Sequence, residues 1–167
     1  MSTFSAAQKV RASQLSQGTV IARAQRLTSG TATTATTAAT AQKLCELDAN
    51  LIAGRVYRVA AINFGVFSTA AAETQLQYTY TTDGTTPLVT STILTTGQVT
   101  TPAGSIVISG SLAGLFEPGS NLTFKVLVSY WCNSGATTVN VFAGTAWPFD
   151  LVIEDLGTDP GVSGTQF

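Results

Sequence analysis

The chain has 167 residues, the length of one domain, and only 10% of them are charged, against about 25% in an average soluble protein. The 28 Thr and 14 Ser take their place, and the total absence of His excludes an imidazole base, a His metal ligand and a His pH switch. A net charge of −1 excludes a polyanion binder, and no apolar run approaches the ~20 residues of a membrane-spanning helix.

The small charge is unevenly placed. Through Arg58 there are seven basic residues against two acidic, about +5; beyond it there is one basic residue, Lys125, against seven acidic, about −6. Residues 1–42 hold Lys9, Arg11, Arg23 and Arg26 and no acid, which suggests a partner different from that of the remainder. This stretch reads as an N-terminal arm and linker strand. Its apolar residues are too sparse to offset an ordering entropy of about 1–2 kcal/mol per residue, so it is expected to order on a partner rather than on its own domain. For its four cations, contact with an acidic protein surface is preferred over solvent. Nucleic acid ranks last, because four scattered phosphate contacts bind weakly. The low-complexity run Thr31 to Thr40 is either a linker or a strand that clasps another subunit's edge. The first residues lack an apolar signal core, so secretion is not expected.

From Gln42 the pattern is all-β. Runs are expected at Lys43 to Leu47 (Cys45 and Leu47 on one face, Leu44 and Glu46 on the other), at Arg55 to Phe67, and at Thr74 to Thr82 with strict alternation of Leu76, Tyr78 and Tyr80. Further runs follow at Leu88 to Leu94, Ser105 to Ser109, Asn121 to Trp131, Thr137 to Phe142 and Phe149 to Leu156. Asp83-Gly84 marks a hairpin, and Gly110 to Ser120 reads as a long loop or as a short helical or edge segment packed across the sandwich mouth through Leu112, Leu115 and Phe116. Eight short strands separated by turn residues make residues 43–156 a β-sandwich or barrel, and 157–167 read as a C-terminal tail.

Candidate chemistry is sparse. Glu154, Asp155 and Asp159 could supply oxygens to a calcium ion, but a solvated acidic strand end is the commoner meaning. Lys125 is the one plausible substitute base for a hydroxyl nucleophile, and it lies inside an alternating strand. Cys45 and Cys132 are expected to be buried free thiols rather than a bridge. No catalytic, cofactor-binding or metal site is assigned, and an enzyme is not expected. Val56 to Phe67 and Leu122 to Trp131 carry more apolar residues than one core face needs. This predicts self-association through aromatics such as Phe64, Phe67, Tyr130 and Trp131.

Three stretches together carry a resemblance: Leu51-Ile-Ala-Gly-Arg-Val-Tyr-Arg-Val59; Leu76-Gln-Tyr-Thr-Tyr-Thr-Thr-Asp-Gly-Thr-Thr-Pro87 with Ser91-Thr-Ile-Leu94; and Leu151-Val-Ile-Glu-Asp-Leu-Gly157. Over residues 45–157 the order resembles small head decoration or minor tail proteins of tailed phages that infect actinobacteria. The resemblance implies a single jelly-roll sandwich, similar to the tumour-necrosis-factor-like fold, assembled as a homotrimer on the virion surface. It further implies the major capsid protein as partner, with no cofactor, nucleic acid or membrane, and manufacture in the host cytoplasm. The alternative it leaves is a minor tail or baseplate protein that binds a receptor or carbohydrate.

Overall fold

The protein is described by a computed structural model over residues 19–102, 105–133, 137–146 and 148–158, without the side chains of Asn63 and residues 105–111. The described chain is all-β, with one 3-10 turn at Ala38–Thr40. The strands are β1 (Thr19–Arg26), β2 (Gln42–Leu51), β3 (Arg55–Ser68), β4 (Ala72–Thr81), β5 (Thr92–Thr101), β6 (Ser105–Phe116), β7 (Leu122–Cys132), β8 (Val139–Phe142) and β9 (Phe149–Thr158).

Two antiparallel sheets face each other, one in the order β1-β9-β3-β6 and the other in the order β2-β7-β4-β5. β8 and β9 both pair with β3, at Phe142↔Gly65 and Asp150↔Ile62, so they occupy one strand line interrupted at 143–148. The chain therefore pairs as a nested ribbon: β1 with β9, β2 with β7, β3 with β6 and β4 with β5. Rolling that ribbon until β9 also meets β3 and β7 also meets β4 produces a jelly roll.

Alternating apolar residues of both sheets fill the space between them. Val59, Ala61 and Phe64 of β3 and Leu151 and Ile153 of β9 meet Leu76 and Tyr78 of β4 and Phe124, Val126, Val128 and Tyr130 of β7. Phe149 leans on Phe64 at 6.2 Å between ring centroids, and Tyr80, Phe116 and Phe124 close one end of the core as a cluster at 4.8–5.4 Å. The Tyr78 phenol crosses from β4 to the opposite sheet. It accepts from the Ala61 N–H at 2.8 Å and donates to the Leu112 carbonyl at 2.8 Å, and burial pushes its ionisation well up.

Local details differ from the periodicity reading, each for a packing reason. A bulge between Lys43 and Cys45 turns Leu44 inward together with Leu47. The segment Gly110 to Phe116, expected as a loop, continues β6, because Leu112 and Phe116 reach the core on alternate positions. Gly84 takes φ +77° beside the Asp83 carboxylate, which accepts from the Thr85 N–H, but no tight hairpin follows. Residues 85–91 instead lie across the outward face of β4, where Gln77 and Thr79 donate to the Val89 and Leu88 carbonyls. The next strand accordingly starts at Thr92, not Leu88.

Cys45 stands opposite Val128 and Cys132 opposite Thr74, four residues apart along β7 and on the order of 13 Å. That is far beyond disulfide reach, and neither cysteine is in a disulfide. Burial pushes the Cys45 thiol up to about 12. At pH 8 about one part in ten thousand is then thiolate, so the folded protein should show no fast reaction with a disulfide reagent and two reactive thiols after denaturation. A rapid native-state burst from a cysteine would contradict this placement.

The Tyr78 bridge is open to mutation. Tyr78→Phe keeps the ring but leaves the Ala61 N–H and the Leu112 carbonyl without their partner, so we expect a loss of about 1–3 kcal/mol. Chemical denaturation of the two proteins measures it, and an unchanged midpoint would show that the β3–β6 ladder closes without the phenol.

Candidate functional site

The sequence places its candidate residues in two groups, basic arm and aromatic seam. Of the arm, Lys9 and Arg11 lie outside the described residues. Arg23 and Arg26 sit on β1, which is a strand of the protein's own sheet. The Arg23 guanidinium grips Asp150 of β9, with Nη2 at 2.8 Å and Nε at 3.0 Å. Arg26 donates to three backbone carbonyls, of Thr28, Ser29 and Leu44. The expectation that this stretch awaits a partner is thus corrected from Thr19 onward: β9 would otherwise be an open edge, and β1 supplies its missing ladder.

The linker is held in the same way. Thr33 exchanges backbone hydrogen bonds with Val139 at 2.9 and 3.0 Å, Gly30 donates to the Val141 carbonyl, and Cys132 donates to the Ala35 carbonyl. The Tyr130 hydroxyl donates to the Thr31 carbonyl. The Thr-rich run therefore clasps its own β7 and β8 rather than another subunit's edge.

Of the seam aromatics, Phe64 and Tyr130 are fully buried between the sheets of a single chain, and Trp131 is nearly buried. Phe67 alone of the four keeps part of its surface open. Alternation along β7 turns Tyr130 to the interior face, and Phe64 joins the core after the inward set of β3 changes phase between Ala61 and Phe64.

The acidic strand end is engaged as well. Glu154 accepts from Arg58 Nε at 2.5 Å and Asp155 from Arg55 Nε at 2.7 Å, while Asp159 lies outside the described residues. Lys125, the candidate base, pairs with Glu46 at 3.3 Å and donates to the Thr86 hydroxyl. Among the described residues no three of His, Cys, Asp and Glu stand close enough to hold a metal ion.

Among the described residues, one end of the sandwich is open, formed by the turn at 52–54, the crossing loop 82–91 and the turn at 117–121. Two shallow clefts lie there, joined by the bridge between Asp83 and Thr123. One, of about 410 Å³, is lined by Tyr80, Thr81, Thr82, Asp83, Ser91 and Thr92. The other, of about 490 Å³, is lined by Asn50, Leu51, Ile52, Asn121, Leu122 and Thr123. Hydroxyls, amides and the exposed side chains of Ile52 and Leu88 make this end a surface for hydrogen-bonded and apolar contact. Hydrogen bonds to Thr85 hold the Asp83 carboxyl below its ordinary range, so it remains an acceptor at neutral pH. Sequence reading did not single this end out, because its residues come from three separate turns.

No family model and no curated protein matches the chain. Similar solved structures include the xylanase 10B CBM22-1–GH10 modules of Clostridium thermocellum complexed with xylohexaose (14% identity, TM-score 0.29, 72% of this chain and 20% of that one). The T13 particle of infectious bursal disease virus is similar at 12% identity and TM-score 0.33, over 81% of this chain and 36% of that one. The Gx strain of the same virus is similar at 15% identity and TM-score 0.28, over 85% and 37%. The chain thus spans between a fifth and about two fifths of these proteins, and at such scores the fold rests on the strand order alone.

The role of β1 is directly testable. A chain beginning at Leu27 should be less stable than one beginning at Thr19 by several kcal/mol. At about 2–4 °C per kcal/mol for a domain of this size, its Tm should fall by roughly 10 °C. Equal melting of the two truncations would mean that β1 contributes nothing to the folded domain.

Proposed function

We propose that the protein is a virion structural protein, a decoration protein that binds the major capsid protein on the outside of a tailed-phage head as a homotrimer and cements the lattice. The observation that supports this reading is the strand order. The stretch whose sequence resembles small structural proteins of actinobacterial phages, residues 45–157, rolls up as the jelly roll that the resemblance implies. No catalytic residues are assigned.

In this reading the loop end carries the contact with the capsid. Arg23 and Arg26 are engaged inside the chain, so they do not serve as the anchor the sequence suggested. Ile52 and Leu88 supply apolar contact, and Asn50, Asn121, Asp83 and Ser91 supply hydrogen bonds around them. Each copy binds weakly, and several linked copies raise the avidity without any strong single contact.

A second reading, a minor tail or baseplate protein with a carbohydrate ligand, is favoured by one feature: the cleft at Tyr80, Asp83 and Ser91 combines hydroxyls, a carboxylate and a ring edge. Cryo-electron microscopy of the intact particle separates the two. The decoration reading expects density for the jelly roll on the head lattice, with Ile52→Asp/Leu88→Asp protein failing to co-sediment with heads. Density confined to the tail tip would replace it with the second reading.

A further inference from the structure

Between Asp83 and Glu117 there is no charged residue: residues 84–116, 33 in succession, contain no Asp, Glu, Lys or Arg in a chain that has 17 of them elsewhere. Its first residues cross the outward face of β4, and the rest forms β5 and β6. β5 is the edge of one sheet and β6 the edge of the other, and among the described strands neither has a partner on its free side. The two edges lie on the same side of the sandwich and form one wall, which over the ten residues of β5 is about 33 Å long. Glycines let the sheets close there. A Cβ at Gly97 would stand 2.7 Å from Leu112 Cδ1, and one at Gly114 would stand 2.9 Å from Leu94 Cγ.

Free sheet edges are normally protected by charge, especially lysine, because their unpaired N–H and C=O groups recruit other strands. The opposite wall follows that rule: β1 carries Arg23 and Arg26, and β2 carries Lys43, Glu46 and Asp48. The β5–β6 wall does not follow it, and its flanks are apolar and open, with Ile93 55% and Leu115 64% exposed. Val20 and Ile21 are also exposed on β1, but there the following arginines interrupt the apolar surface.

We propose that the β5–β6 wall is the face that copies of this chain turn toward one another. The occupant is a second copy rather than a different protein for an electrostatic reason. In a trimer the residues that face the axis lie near their own counterparts, so a charge there would meet its like, and a wall without charge turned to the axis avoids this. Thr side chains and free backbone groups then supply hydrogen bonds across the contact, and Ile93 and Leu115 supply its apolar rim. The inference rests on the self-association in the reading above but not on capsid binding.

Light scattering of the full chain at about 50 µM, with sedimentation velocity, tests it. The intact protein should run as a multiple of 17.3 kDa. Thr96→Lys/Thr100→Lys, which puts two cations on the exposed face of β5, should reduce the mass to that of one chain with an unchanged far-ultraviolet spectrum. Gln25→Lys on β1 should leave the multiple intact. Because the double variant could misfold, Thr96→Cys in otherwise native protein gives a second measurement: a bifunctional maleimide should link two chains through it. A monomeric intact protein would overturn both the self-association and its location. A multimer that persists in the lysine variant, or a Thr96→Cys protein that fails to cross-link, would overturn the location alone.

Discussion

Pairing of the first strand with the last governs this molecule. In a nested antiparallel ribbon early strands lie against late ones, and among the described strands β1 against β9 is the outermost such pair. The charge distribution follows from it. The early basic residues and the late acidic ones, which along the sequence look like two surfaces for two partners, are brought together by the roll. Arg23 meets Asp150, Arg55 meets Asp155, and Arg58 meets Glu154, which is largely buried. Exposed pairs of this kind contribute at most about 1 kcal/mol each, so they set register more than stability. Their larger consequence is that Arg23, Arg55 and Arg58 among the described residues are engaged within the chain.

The same roll decides which side chains are available for function. β4 and β7 are central strands; residues 85–91 cover part of the outward face of β4, and the clasp from Gly30 to Ala35 is held by the ends of β7 and β8. Aromatic residues on these strands are therefore structural. Tyr78 links the two sheets, Tyr130 anchors the clasp, and Phe64 and Phe149 fill the centre. Surface for recognition survives at the loop end and along the sandwich sides.

The two sides differ in character: one is charged and closed by internal ion pairs, the other uncharged with two free edges. Together with the open loop end, this gives the domain three surfaces of distinct chemistry. The decoration role proposed above would need such a difference, because contacts among copies and contacts with an underlying shell would have to be satisfied at the same time.

Much of the architecture is written in local pattern. Alternation at Leu76, Tyr78 and Tyr80 and at Phe124, Val126 and Val128, with turn residues between runs, determines an all-β sandwich, because a period of two suits a sheet with one buried face. Strands that lack that contrast were not legible. Ala113 to Phe116 reads as loop because Gly and Ala carry no strand preference, and Thr92 to Thr101 gives no clear inside and outside because Thr suits both. Periodicity alone separates β8 and β9 into two positions although they share one line along β3, and it gives β1 no strand signal. No local rule could show this. β1 is too poor in apolar residues to be ordered by itself, and what orders it is the open edge of β9, more than a hundred residues away. The loop end likewise exists only once three turns are gathered. Sequence determined the kind of structure, through side-chain period; tertiary structure decided which residues are surface, because a jelly roll joins residues by their distance from the middle of the ribbon and not by their neighbourhood in the chain.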